Sequence, residues 1–153
     1  MHFTISRETF LKPLQLVSGV VERRQTLPVL SNVLLVLEGD QLSLTGTDLE
    51  VELIGRVTVV DSKQSGAITV PARKLLDICK SLADDSMIEL SMSDSNKLTV
   101  KAGRSRFSLT TLPATEYPSV EEEPDTFSVT LSQSRLKELL DSTSFAMAQQ
   151  DVQ

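Results

Sequence analysis

The sequence predicts an α+β fold made of two similar halves, each a strand, a helix and three further strands, with both helices on one face of the sheets. The prediction depends on a pattern that occurs three times, in which a short β-branched strand leads directly into a helix with an apolar stripe. The copies begin about sixty residues apart, as internal repeats do. Strand-rich sequence follows the first two copies, whereas the chain reaches Gln153 soon after the third. We therefore expect one complete unit and the opening of another.

The repeats have recognisable helix starts and stops. Ser6 and Ser132 are typical N-caps, because a serine oxygen accepts hydrogen bonds from the free N–H groups of a first turn. Pro71 stands where its missing N–H costs nothing. In the first helix, Pro13 predicts a kink and Gly19 predicts the end. The predicted strands are Phe3–Ser6, Ile68–Pro71 and Ser128–Ser132, and the helices that follow them are Arg7–Val17, Ala72–Leu82 and Gln133–Leu140.

Apolar residues recur on one face of the first two helices, so both should be buried against a sheet. They are Phe10, Leu11, Leu14 and Val17 in the first helix and Leu75, Leu76, Cys79 and Leu82 in the second.

Alternation of apolar and polar residues predicts the remaining strands. Gly39 and Asp40 lie between the first two of them and indicate a hairpin. The strands are Asn32–Glu38, Gln41–Thr45, Leu49–Val60 and Ala67–Val70, and then Met87–Met92, Lys97–Lys101 and Arg104–Thr111.

An acidic, proline-containing stretch follows the last of these strands. Pro113, Pro118 and Pro124 accompany Glu121–Glu123, which predicts an extended linker. We place the domain boundary near Asp125, so that residues 1–125 form the first domain and residues 126–153 the truncated start of a second. The second segment is too short to bury a core alone.

Composition is that of a soluble globular protein, with 153 residues, 40% hydrophobic and 24% charged. No apolar run reaches the length of about 20 residues that a membrane helix needs, and the single cysteine excludes an internal disulfide. We expect a cytoplasmic protein.

The net charge of −6 argues against a nucleic-acid partner, but the charge is segregated. Acids dominate Glu116–Asp125, whereas Lys101, Arg104 and Arg106 form a basic cluster.

Signatures of catalysis are scarce. The sequence has no phosphate-binding glycine loop and no paired metal-ligand motif, and its only histidine is His2. Asp48, Glu50 and Glu52 alternate, so a strand would place all three carboxylates on one face. Such a face could bind a hard cation such as Mg²⁺ and support a metal-dependent hydrolase. A solvated strand face is the favoured alternative.

Cationic side chains lie opposite the apolar stripe of the second helix, at Arg73 and Lys80, with Asp77 between them. One interpretation is an exposed face with an intrahelical ion pair. The other is a surface that contacts a phosphate backbone without sequence preference. Arg104 and Arg106 alternate along a predicted edge strand, where charges commonly prevent unwanted pairing.

Four segments resemble the bacterial DNA sliding clamp, the β subunit of the replicative DNA polymerase, and the likeness covers the whole chain in order. They are Thr45–Glu50, Thr69–Lys74, Gly103–Leu109 and Thr111–Ala114. The resemblance implies a DNA-clamp fold and a non-catalytic processivity factor without a cofactor. Its parent would be a three-domain chain that pairs head-to-tail into a ring around duplex DNA and binds polymerase and clamp-loader subunits.

The resemblance also implies two sets of site residues. Polar residues at Arg24, Arg73 and Gln150 correspond to positions that face DNA. The ring interface corresponds to Lys74, Ile78, Arg104, Arg106, Phe107 and Leu109, which would meet an acidic, partly apolar surface on the third domain of another protomer. We expect this chain to lack that third domain, and with it the peptide pocket between the second and third domains. An interaction module whose acidic linker docks a basic partner is a further hypothesis.

Overall fold

The computed structural model describes residues 1–21, 27–94 and 96–118, which form two five-stranded antiparallel sheets and two α-helices. The predicted α+β fold with two strand–helix–strand halves is confirmed. The first half comprises β1 (His2–Ser6), α1 (Arg7–Ser18), a 3₁₀ turn (Pro28–Ser31), β2 (Asn32–Glu38), β3 (Gln41–Thr47), β4 (Glu52–Thr58) and β5 (Asp61–Gln64). The second comprises β6 (Gly66–Pro71), α2 (Ala72–Ser81), β7 (Met87–Asp94), β8 (Lys97–Ala102), β9 (Ser105–Thr110), β10 (Leu112–Pro113) and a 3₁₀ turn (Ala114–Glu116).

The two halves exchange their first strands. One sheet has the order β5-β1-β7-β8-β9, so that β1 of the first half lies beside the strands of the second half. The other has the order β10-β6-β2-β3-β4, in which β6 of the second half completes the sheet of the first. Apolar residues meet across both junctions, with Ile5 opposite Ile88 and Val33 opposite Val70. Neither half therefore has a complete sheet of its own.

One apolar core joins both sheets and both helices. The aromatic rings of Phe3 and Phe10 pack edge to face, with 6.5 Å between their centroids and 75° between their planes. The predicted helix stripes are confirmed, because Phe10, Leu14, Val17, Leu75 and Cys79 are fully buried, and Leu11, Leu76 and Leu82 pack partly buried against the same core.

The first helix begins and ends where the sequence predicts. The hydroxyl oxygen of Ser6 accepts a hydrogen bond from the Thr9 N–H at 3.2 Å, and the Gly19 N–H donates to the Gln15 carbonyl oxygen at 3.2 Å. Pro13 lies inside a helix that runs unbroken to Ser18. Its ring packs over Gly55, where a Cβ atom would lie only 2.9 Å from the Pro13 Cβ.

Three features differ from the predicted strands. Residues 48–51 form a turn before β4, so the predicted strand Leu49–Val60 is shorter, and β5 pairs with β1 as an unpredicted edge. The two-residue strand β10 is also unpredicted, and the Thr69 hydroxyl secures it by donating to the Leu112 carbonyl at 3.1 Å. The third repeat and the domain boundary near Asp125 lie outside the residues that the structure describes.

Gly46 lies where the backbone at the end of helix α1 approaches strand β3 closely. A Cβ atom here would overlap the Val17 carbonyl oxygen and lie 3.1 Å from the Val17 carbonyl carbon. We expect Gly46→Ala to lower the free energy of unfolding in urea by about 2 kcal/mol or more, because the backbone of α1 must shift. Ser43→Ala, on the same strand with its side chain on the opposite face, should change it by less than about 0.5 kcal/mol. Equal effects from the two substitutions would contradict this packing.

Burial raises the pKa of the Cys79 thiol to about 12, against an ordinary value of 9.0, although the nearby Arg7 charge lowers it slightly. Between pH 9 and 12 the folded state thus keeps the thiol proton of Cys79, whereas the unfolded chain releases it. The contribution of Cys79 to stability is complete below pH 9 and is lost as the pH rises toward 12. We expect the free energy of unfolding to fall by about 1 kcal/mol per pH unit in this window.

Urea unfolding between pH 8 and 11 measures this dependence. Cys79→Ala should flatten the slope, whatever stability the substitution itself costs, leaving the smaller fall that the raised pKa of the buried Tyr117 produces at higher pH. An unchanged slope in Cys79→Ala would show that the thiol does not titrate with folding.

Candidate nucleic-acid interface

Helix α2 presents a cationic face to solvent. Arg73, Lys74, Asp77 and Lys80 are all exposed, while Leu75 and Cys79 face the core. The expected intrahelical ion pair does not form, since none of the ion pairs among the described residues joins Arg73 to Asp77. The exposed face therefore carries three cations and one acid, and within the described part of the chain none of these four side chains forms an ion pair.

Helix α1 adds less positive charge than α2. Its Lys12 ammonium lies 3.4 Å from the Glu8 carboxylate four residues earlier. Such a pair is favourable by only a few tenths of a kcal/mol, but it balances the charge on this part of the helix. The cationic character of the helix pair is therefore concentrated on α2.

The start of α1 is joined to the end of α2 by Arg7. Its Nε donates to the Cys79 carbonyl oxygen at 2.7 Å and its Nη2 to the Lys80 carbonyl oxygen at 3.5 Å. The Nη1 lies 3.2 Å from Asp84 Oδ1, and the Arg7 side chain is only 14% exposed. No motif or spacing in the sequence indicated this role. The available signal was a cation in the first turn of a helix, where the macrodipole disfavours it.

The residues assigned to a ring interface lie on α2, on the adjoining strand β9 and, for Arg104, in the turn before β9. Within the described residues β9 is an edge strand that pairs with β8, as predicted. The set combines exposed cations with apolar side chains that pack against the core. Lys74, Arg104 and Arg106 are exposed, Ile78 and Phe107 are half-buried, and Leu109 is buried.

The two remaining residues of the predicted DNA contact, Arg24 and Gln150, lie outside the described residues. Arg73 is the one member that the structure places, on the first turn of α2.

The three carboxylates considered for a metal site are not on one strand face, and that interpretation is wrong. Asp48 Oδ1 accepts from the N–H groups of Val51 at 2.7 Å and Glu50 at 2.9 Å, which is how aspartate stabilises a turn. Those bonds from Val51 and Glu50 lower the pKa of Asp48. Leu49 has a φ of 79° within the turn, so only Glu52 belongs to β4. Among residues 1–21, 27–94 and 96–118, no group of three or more His, Cys, Asp or Glu residues is placed to hold a metal ion.

The buried Tyr117 and the half-buried Glu52 form a small polar site that the sequence did not indicate. The Tyr117 hydroxyl donates to the Thr45 carbonyl oxygen at 3.2 Å. Burial, and then the charge of Glu52, raise the pKa of Tyr117, and burial raises the pKa of Glu52. The contact fastens the end of the described chain to the end of β3, and contributes no surface to α2.

No helix in the described part of the chain is long and apolar enough to cross a membrane.

Sequence comparison places this geometry among known proteins. The family described as "DNA polymerase III beta subunit, N-terminal domain" matches residues 1–121. The beta sliding clamp of Pseudomonas aeruginosa is 68% identical over 152 residues, which cover 99% of this chain and 41% of that protein. The clamp of Escherichia coli is 47% identical over the same proportions of both chains. The chain therefore spans less than half the length of these relatives.

Solved structures agree. A crystal structure of the P. aeruginosa sliding clamp bound to griselimycin has a TM-score of 0.78 at 67% identity, covering 88% of this chain and 36% of that one. The Caulobacter crescentus pol III beta structure has a TM-score of 0.76 at 44% identity, covering 80% and 33%. The family match covers most of this chain, and solved sliding clamps of high sequence identity have the same fold. This chain therefore belongs to the DNA polymerase III beta subunit family, the beta sliding clamps.

Proposed function

We propose that this chain acts as part of a sliding clamp, a non-catalytic processivity factor that encircles duplex DNA and tethers the replicative polymerase. The observation that carries the proposal is the exposed cationic face of α2, in a chain 68% identical to a beta sliding clamp. Replication in bacteria takes place in the cytoplasm, where we expect the protein to act.

The DNA contact is electrostatic. Arg73, together with Arg24 and Gln150, would meet phosphate oxygens of the duplex. Exposed cations such as Arg73 suit this role, because phosphate contacts carry no sequence information and release counterions whatever the sequence. Weak contacts of this kind tether a protein to DNA and still allow it to slide. The overall charge of −6 is compatible with this, because the helix face is locally basic.

The ring would close through the basic and apolar patch on α2 and β9. An edge strand has free backbone N–H and C=O groups that another chain can pair with. Arg104 and Arg106 would meet acidic groups of the partner, and Phe107 would be buried by its apolar part. The full-length protein would then form a head-to-tail homodimer and bind polymerase and clamp-loader subunits.

We further propose that residues 1–125 form the first clamp domain and that residues 126–153 open a second. The family match over residues 1–121 supports this boundary. The pocket for polymerase and clamp-loader peptides would lie between later domains, outside the residues of this chain.

Arg73→Gln tests the DNA contact. In fluorescence anisotropy with labelled duplexes of unrelated sequence, we expect weaker binding to all of them by a similar factor. The slope of log affinity against log salt should fall by about one, the signature of one lost phosphate contact. Lys63→Gln, which removes the same charge from the exposed strand β5, is the matched control and should have a smaller effect. A strong preference for one duplex sequence, or equal losses in the two variants, would contradict the proposal.

Phe107→Asp tests the interface. The patch should make the chain self-associate as its concentration rises, and a carboxylate in place of this half-buried ring should shift the association by about tenfold or more in concentration. Sedimentation velocity over a concentration series measures this. Thr58→Asp, at the exposed end of edge strand β4, is the control and should leave the association unchanged. Association that is insensitive to Phe107→Asp would place the contact elsewhere.

A further inference from the structure

We propose that Arg7 is the positioning residue of the DNA-binding face: its guanidinium ties the last turn of α2 to the first residue of α1, so that both helices meet a duplex as one rigid surface. The proposal rests on the DNA contact proposed above and deepens it.

The geometry is that of a helix cap supplied from another helix. The last carbonyl groups of an α-helix have no partner within the helix and carry the negative end of its macrodipole. Arg7 Nε reaches the Cys79 carbonyl oxygen at 2.7 Å, and Nη2 reaches that of Lys80 at 3.5 Å. The backbone N–H of Arg7 also donates to the Ser86 carbonyl oxygen at 2.8 Å. One residue thus holds the end of α2 and the connection that follows it.

The tie acts on DNA binding through α2. The Arg7 side chain is 14% exposed, which is too little for a direct contact with phosphate. Lys80, in contrast, is exposed in the very turn that Arg7 caps. A frayed last turn would displace the backbone from which the exposed Lys80 side chain extends, and it would expose carbonyl oxygens that repel phosphate. The guanidinium prevents the fraying and neutralises the negative helix end.

Asp84 contributes little to this tie. Its side chain is fully exposed, at 101%, so solvent and salt screen its ion pair with Arg7. The bonds to the two carbonyls are the ones that matter. This distinction provides matched variants. Asp84→Asn removes only the ion pair, Arg7→Lys keeps the charge without the planar fork, and Arg7→Gln removes both. Lys63→Gln again removes one charge at an exposed site away from α2.

Hydrogen exchange and duplex binding, measured on the 153-residue chain, test the proposal together. In Arg7→Gln, amides of the last turn of α2 should exchange about tenfold faster or more, while those of the central strands β2 and β3 stay unchanged. Duplex affinity should fall by about threefold or more beyond the loss in Lys63→Gln, with a smaller salt slope. Arg7→Lys should restore part of both properties, and Asp84→Asn should resemble the unsubstituted chain.

Three outcomes would overturn the inference. The first is unchanged exchange at the end of α2 in Arg7→Gln. The second is faster exchange with a loss of affinity no greater than that of Lys63→Gln, which would make Arg7 a purely structural cap while the DNA contact stands. The third is an absence of duplex binding by the unsubstituted chain, which would overturn the proposed function itself, and the positioning role with it.

Discussion

The exchange of first strands between the two halves is the constraint on which the rest of the molecule depends. Because β1 completes the sheet of the second half and β6 that of the first, each helix begins in one sheet and leads to strands of the other. The helices must therefore cross from sheet to sheet, which brings them side by side over a common core. Long-range pairing of this kind is slow to form, but once formed it makes the two halves inseparable.

The placement of charge follows from that arrangement. The apolar stripes of both helices are buried in the core. The polar residues of the helices therefore lie on their outward faces. On α1 the cation Lys12 is balanced by Glu8, whereas on α2 the cations Arg73, Lys74 and Lys80 are in none of the ion pairs formed by residues 1–21, 27–94 and 96–118. A chain of net negative charge thus keeps a local basic face. Its position is fixed by secondary structure, and total charge gives no information about it.

The sequence predicted what depends on local pattern and missed what depends on distant contacts. Helix limits followed from Ser6 and Gly19, because capping bonds act within one turn. The strand predicted to begin at Leu49 was wrong at its start. The N–H groups of Glu50 and Val51 donate to the Asp48 carboxylate and form a turn, so they are not available to pair with a neighbouring strand. Period-two alternation cannot reveal such a turn.

The same limit applied to the site. The patch formed by α2 and β9 joins residues about thirty positions apart, and only resemblance to a family brought them together in the sequence analysis. The hydrogen bonds of Arg7 to Cys79 and Lys80 span more than seventy residues. No spacing rule connects such positions. Predicting these contacts would have required knowing that β1 and β6 are exchanged between the two sheets.

Helix α2 is the element on which the two proposed functions converge. In the proposed function its first turn would present Arg73 to DNA and its flank would present Lys74 and Ile78 to a partner, while its last turn is capped by Arg7. A rigid helix transmits a shift at one end to the other, because its backbone hydrogen bonds resist bending. Closing a partner surface over Ile78 would therefore also orient Arg73. In the proposed clamp the same ten-residue helix would thus serve both the ring interface and the DNA contact.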